Sequence, residues 1–351
     1  MKMLAQRYKN DKIPTEKLNE LQKKLKSQVE KKIEFGIYTF EKTACHICGG
    51  INFEILSEKD RYGLFMSVVI CRDCGLIQTD PRMSQESYNQ FYSSEYRQLY
   101  GGTESPQDNF FADQYNRGTN IIQFLERNLK MKINRKKIFE VGVGAGGILY
   151  SFQQKGNDIF GCDIGEEYLE FGRKKYNLPL VSGSIKEIQL PWKPDFILYS
   201  HVIEHILNPF EELDYLKQFC KHDTYLFIEV PGIKGDLVTN YQKNFLLYLQ
   251  NAHITHFSLT TLCNLLSKSG WTMVYGDESI RAIFQISLEK HSEYINDYQS
   301  EITLLKKLEF LRFFPTKNSL FIIIFKILIY THLYSMVKEI YNKIKQKTNI
   351  Y

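Results

Sequence analysis

The most chemically explicit residues in the chain are two cysteine pairs, Cys45-His46-Ile47-Cys48 and Cys71-Arg72-Asp73-Cys74. Two residues between paired thiolates let both sulfurs face one ion, and four thiolates close a tetrahedral shell around zinc. Gly49 and Gly75 follow the pairs and let the backbone turn back to aim its amides at sulfur. Four thiolates complete the shell, so His46 reads as a bystander and the metal as structural, tying down a segment too short to hold its own core. The N-terminus from Met1 to Glu20 is charged throughout and lacks the apolar run of a secretion signal. The seven cysteines are therefore expected as reduced thiols in a cytoplasm.

A second chemistry begins at Ile138-Phe139-Glu140-Val141, which runs into Gly142-Val143-Gly144-Ala145-Gly146-Gly147. Glycines after a strand allow a tight turn and let a cofactor approach the backbone at a helix N-terminus. Asp163 ends the next apolar run, where a carboxylate can accept both hydroxyls of a ribose. These residues by themselves serve NAD and S-adenosylmethionine equally.

Two histidine groups supply candidates for moving a proton, since imidazole titrates near neutrality. One is His201-Val-Ile-Glu204-His205, whose letters also match the inverted zinc-protease motif. Its place at a strand-to-loop transition points away from protease chemistry. The other is Asn251-Ala252-His253-Ile254-Thr255-His256.

The elements that would position these groups follow from periodicity. Leu18, Leu21, Leu25, Val29 and Ile33 at helical spacing predict an amphipathic helix over 15–33, opened by Pro14-Thr15. Apolar runs alternating with helical pattern predict strands at 137–143, 158–163, 178–181, 195–200, 224–230, 271–275 and 282–288. A helix should start at Asn208-Pro209, with Glu211 completing a capping box. The expected fold is α/β: a doubly wound, mostly parallel, Rossmann-like sheet with an N-terminal four-cysteine module and a helical C-terminal extension. The expected segments are a basic helical stretch (1–40), the zinc module (41–82), a Tyr-rich connector or lid (83–118), a cofactor-binding domain (119–290) and an apolar, basic extension (291–351).

At 351 residues, 43% of them hydrophobic, the chain can bury a proper core. Its net charge of +5 gathers at the two ends. No basic cluster interleaved with aromatics crosses the middle, which excludes a nucleic-acid groove. The apolar and basic stretch 318–347 suits packing on the domain, an oligomer contact, or contact with the inner face of a membrane better than a spanning helix, because its apolar run is short and carries Lys326.

The run Glu140-Val-Gly142-Val-Gly144-Ala-Gly146 resembles the first motif of class I S-adenosylmethionine-dependent methyltransferases. Residues 195–209 and Glu229-Val230-Pro231-Gly232 resemble that family's later motifs, in order and spacing, over about 119–290. The resemblance implies S-adenosylmethionine held by Glu140, Gly142, Gly144, Gly146, Asp163, Ser184 and His201. Ser184 stands near a position where the family often carries an acid for the adenine amino group. In some O-methyltransferases of the class, Glu and His of the fourth-motif loop bind a divalent metal. The whole chain is similar to a narrower group, zinc-binding sugar C-methyltransferases that act on nucleotide-linked keto-sugars. That similarity implies a sugar-type substrate, His253 as catalytic base, His205 with Glu204 beside it, and a functional tyrosine at Tyr92 or Tyr96, with Tyr96 taken as the candidate. Ala252 and Gln250 depart from the group's Glu and Tyr, and the group's C-terminal α/β domain has no counterpart here. An NAD-dependent enzyme and a non-catalytic adaptor are the competing readings.

Overall fold

A computed structural model describes residues 3–102, 108–287 and 293–312. The chain divides into two compact units, Met1–Lys306 and Lys307–Tyr351. All the described strands belong to the first unit. The stretch 318–347, with its expected membrane or oligomer contact, lies outside the described residues.

The strands in chain order are β1 (Phe40–Glu41), β2 (Phe53–Lys59), β3 (Phe65–Cys71), β4 (Ile77–Thr79), β5 (Arg82–Met83), β6 (Lys137–Val141), β7 (Asp158–Asp163), β8 (Leu180–Ser182), β9 (Phe196–Ser200), β10 (Tyr225–Glu229), β11 (Thr255–His256), β12 (Trp271–Gly276) and β13 (Arg281–Ile286). The helices are α1 (Glu20–Glu34), α2 (Gln85–Phe91), α3 (Arg97–Gly101), α4 (Asp108–Leu129), α5 (Gly147–Gln153), α6 (Glu166–Tyr176), α7 (Pro209–Leu216), α8 (Asp236–Thr239), α9 (Phe245–Tyr248), α10 (Leu259–Lys268) and α11 (Tyr298–Leu311).

Seven strands form one sheet in the order β12-β13-β10-β9-β6-β7-β8. The five from β10 to β8 are parallel, while β13 runs antiparallel to both β10 and β12. The result is a mixed α/β, Rossmann-like sheet. Alternation along the strands feeds two cores. Phe139, Val141, Ile197, Tyr199, Leu226 and Ile228 face one side, with Trp271 and Leu265. Ile138, Phe196, Leu198 and Phe227 face the other, against Ile121, Leu125 and Leu149. Each wholly apolar run is thus a strand covered on both faces. From β6 the chain moves outward to β7 and β8, then returns to β9 on the other flank, so the carboxyl ends of β6 and β9 border a topological switch point. That is where open α/β sheets form their ligand crevice.

A separate four-stranded sheet, β11-β4-β3-β2, carries the cysteine pairs. Its β11 comes from the second histidine group, far along the chain. The pair β1-β5 is a small third sheet.

Three expectations need correction. The first long helix starts at Glu20, not at Pro14-Thr15: Asn19 caps it, accepting from the Gln22 amide while the Gln22 side chain returns to the Asn19 amide. That reciprocal box satisfies two otherwise orphaned donors, which Pro14-Thr15 cannot do at that register. Pro209 does open α7, but the Asn208 side chain makes no capping bond and no box with Glu211 forms. The third-strand run pairs over Leu180–Ser182, shifted from 178–181.

Candidate active site and four-cysteine centre

Each cysteine pair sits at a tight turn. The Gly49 amide donates to Cys45 O and the Gly75 amide to Cys71 O, both folding the knuckle back on itself. Gly75 has φ +86°, and a Cβ there would stand 2.5 Å from the Tyr298 nitrogen, so only glycine fits. The sulfurs converge: Cys45 to Cys74 is 3.3 Å and Cys48 to Cys71 is 3.5 Å, and all four lie within 4.8 Å of one another. Four sulfurs about 2.3 Å from a central zinc stand about 3.8 Å apart, so the set fits a tetrahedral ion. The thiols share protons: contact with Cys45 and Cys74 pulls the Cys71 thiol down, while contact with Cys71 pushes the Cys45 thiol up and contact with Cys45 and Cys71 pushes the Cys74 thiol up. His46 is not part of the set; its Nδ1 lies 3.4 Å from the Thr255 hydroxyl and burial pushes its ring down to about 4.

At the carboxyl end of β6, Gly142 has φ +70°, and a Cβ there would meet the Val202 side chain at 2.4 Å. The backbone thus passes close under the loop after β9 because it carries no side chain. Gly146 is the N-cap of α5. Asp163, buried at the end of β7, binds both flanks: one oxygen accepts from the Gly144 amide at 2.9 Å, the other from the Gly165 amide at 2.7 Å and from Arg97 at 2.9 Å. Glu140 is buried with one carboxyl oxygen lacking any partner. Burial first, then the nearby Asp163 carboxylate, drive the Glu140 carboxyl well above the usual range, with Arg117 opposing. Ser184 spends its amide and hydroxyl on Glu187.

The histidines gather opposite these glycines. His201 closes β9 in the left-handed region at φ +57°, a strained conformation for a residue with a side chain. Its Nδ1 is 3.5 Å from Glu204, and His205 Nε2 is 3.9 Å from the same oxygen. Glu204 is buried with no hydrogen-bond partner on either oxygen, and Ile203–His205 form a single 3-10 turn. A protease-type HxxEH would need these residues on one face of a full helix. His205 Nδ1 donates to Ala252 O at 2.9 Å, and its ring packs edge-on against His253, centroids 4.7 Å apart. Glu204, His205 and His253 present ligand atoms within 4.8 Å of one another. Gln250 donates from its side-chain amide to His253 Nε2. Burial, with neighbouring His205 and His256, holds His253 well below the ordinary histidine value, and burial also lowers His205. His256 stands apart from the cavity wall, driven down to about 3 by burial.

Tyr92 and Tyr96 fall in one π-helical turn and stack at 4.8 Å; Tyr96 in turn stacks on Tyr100 at 6.0 Å. Both Tyr92 and Tyr96 reach the His205 ring. The glycine end, Asp163, the tyrosine ladder and all of His201, Glu204, His205 and His253 line one cavity of about 840 Å3. Sequence reading missed Arg97, Tyr88 and Gln114, which come from helices distant in sequence. Only the tyrosine density of the connector hinted at them. Gln114 donates to Val143 O and accepts from the Gly147 amide, bracing the glycine turn.

Residues 114–275 match the methyltransferase-domain family. No curated protein matches the chain. Among solved structures, the chain is similar to magnesium protoporphyrin IX methyltransferase from Synechocystis PCC 6803 with bound S-adenosylhomocysteine, at 13% identity over 57% of this chain and 97% of that one, TM-score 0.41. It is also similar to the Burkholderia thailandensis 1,6-didemethyltoxoflavin-N1-methyltransferase with its substrate and S-adenosylhomocysteine, at 12% identity over 60% and 96%, TM-score 0.44. A third is a SAM-dependent methyltransferase from Archaeoglobus fulgidus, at 23% identity over 47% and 75%, TM-score 0.36.

Proposed function

We propose that this chain, an enzyme of the class I methyltransferase type, moves a methyl group from S-adenosylmethionine to a sugar-type small molecule, a nucleotide sugar or saccharide, with a histidine as base. The observation that carries the reading is the shared cavity: the glycine turn with Asp163 and the histidine cluster wall the same space. S-adenosylmethionine supplies an already activated methyl group, so the protein has to align the acceptor and take a proton from it.

In this reading Gly142, Gly144 and Gly146 form the cradle, and the unpartnered Glu140 oxygen offers an acceptor inside it. Asp163 meets the ribose hydroxyls, with Ser184 and His201 at the rim. His253 takes the proton once Gln250 releases its Nε2. His205 and Glu204 hold that ring in place, and Tyr96 walls the acceptor. Cys45, Cys48, Cys71 and Cys74 hold a structural zinc. The five-segment division drawn from the sequence stands as part of the proposal, as does a reducing, cytoplasmic setting, with packing on the domain, an oligomer contact or contact with the inner face of the membrane as the alternative roles of 318–347. No helix among the described residues is long and apolar enough to cross a membrane.

The test is parallel calorimetric titration of the purified chain with S-adenosylmethionine, S-adenosylhomocysteine and NAD, followed by methyl-transfer assays on nucleotide sugars. Binding of the first two and not NAD supports the reading. Binding of NAD alone sinks it, and cofactor binding with no turnover on any sugar favours the adaptor.

A further inference from the structure

The loop that carries His253 takes most of its hydrogen-bond partners from the cysteine-bearing module, with Tyr88 of α2, His205 and Glu204 supplying the others. Its edge, β11, pairs with β4, the strand that leaves the second cysteine knuckle, through Thr255 opposite Gln78 and His256 opposite Ile77. Before that edge, backbone groups of residues 248–254 are met from residues 60–88. Arg61 donates to Tyr248 O and Leu249 O, and Asp60 accepts from the Asn251 amide at 3.2 Å. Phe65 O accepts from the Asn251 side chain, and the Tyr88 hydroxyl donates to Ala252 O at 2.7 Å. Thr79 donates twice, from its hydroxyl to His253 O at 3.1 Å and from its amide to Ile254 O at 2.9 Å. The methyltransferase side contributes His205 to Ala252 O and Glu204 O to the Ile254 amide. Asp60 is fully buried and also accepts from the Tyr62 and Leu64 amides, so it fixes the β2–β3 turn and the loop with one carboxylate.

An irregular segment keeps one conformation only if its buried backbone groups find fixed partners. Here Thr79 sits on β4, the strand that leaves the second cysteine turn, while Asp60, Arg61 and Phe65 sit at the β2–β3 turn, the other end of the same sheet. We propose that the four-cysteine module is the seat of the His253 loop, with Thr79 and Asp60 as positioning residues that set the His253 ring against His205 and Glu204. This deepens the reading above and rests on it for the identity of the metal and the use of His253. Cys71 and Cys74 would hold the metal at the turn between β3 and β4; β4 sets the register of β11, and Thr79 on β4 holds the His253 main chain.

The experiment uses the full chain as purified with its metal. Hydrogen exchange is followed by mass spectrometry before and after stripping the metal with a chelator. We expect exchange over 250–256 to rise at least tenfold together with 65–79, while 137–141 and 158–163 keep their protection. Unchanged protection at 250–256 while 65–79 opens overturns the proposal, as does equal loss across 137–141, which would make the metal a support of the whole chain. A second arm reads the His253 ring nitrogens by NMR, assigned through their loss in His253→Gln. Thr79→Val should shift them, Thr79→Ser should restore them, and S-adenosylmethionine affinity should stay within twofold in both. Ring signals in Thr79→Val identical to wild type overturn the proposal. A chain that holds no zinc at all defeats the zinc reading instead, and the Thr79 arm still decides the loop's support.

Discussion

Asp163 shows how much one carboxylate is asked to do. It joins the turns after β6 and β7 through the Gly144 and Gly165 amides and still faces the cavity beside Arg97. Ribose hydroxyls would share an acceptor that is already ordered, which lowers the entropy cost of binding them. Asp163→Ala should weaken S-adenosylmethionine binding by about 1–3 kcal/mol, the scale of unpaired polar groups in a desolvated site. Calorimetry reads this directly, and an unchanged affinity would put the ribose elsewhere. His253 makes a different prediction. Because burial holds its ring and that of His205 below the ordinary value near 6.5, a base at His253 would be neutral and ready at neutral pH. The sign is that of a depressed base: activity should be flat as pH falls from about 7.5 to about 6 and drop only at lower pH. A fall centred near the ordinary histidine value would assign the proton to a less buried group. His253→Ala should abolish turnover and spare cofactor affinity; an active variant would remove it as the base.

At the scale of elements, the turn after β6 is set by the absence of side chains. Gly142 lies under Val202, so Gly142→Ala adds both a clash at 2.4 Å and a left-handed backbone penalty. We expect a loss of about 1–3 kcal/mol in thermal or urea unfolding, with cofactor affinity falling as Val202 is pushed into the loop. Full stability in this variant would mean the turn has another conformation available. This turn, the central strands and the cysteine knuckles were legible in the sequence because each is local: an apolar run, a glycine spacing, a CxxC. The start of α1 was not, since Pro14-Thr15 and Asn19 are both good helix openers and only the reciprocal bond with Gln22 decides between them. The partners of the histidine cluster were hidden for a stronger reason. Arg97, Tyr88 and Thr79 reach the site from helices and strands far from the glycine and histidine motifs, and no periodicity encodes such a meeting. Gln250 was noted only as a departure, yet its amide is what touches the His253 ring.

At the scale of the whole molecule, the question is how two sheets of different kinds share one stability. The seven-stranded sheet is covered on both faces and has cores of its own. The N-terminal segment has a smaller cluster, built from Leu25, Val29, Tyr38, Leu64, Phe91 and their neighbours. Its cysteine knuckles, Ile47 and Leu76 instead pack into the large core beside Phe257 and Trp271. Lys268 of α10 reinforces that seam by donating to Ile47 O at 2.6 Å. A structural zinc bound by four thiolates contributes folding free energy on the order of 10 kcal/mol in small domains, comparable with the entire stability of an average domain. Losing it should therefore melt the module without melting the sheet, which keeps most of its buried contacts. The zinc-loaded chain should hold one metal per molecule and unfold in a single calorimetric transition. Cys74→Ser, or treatment with a chelator, should remove the metal and split that transition in two, the lower one belonging to the module and the upper one staying near its original temperature. A single transition at an unchanged temperature after metal loss would show that packing of the knuckles against Phe257 and Trp271, with no help from the ion, is enough to hold the module in place.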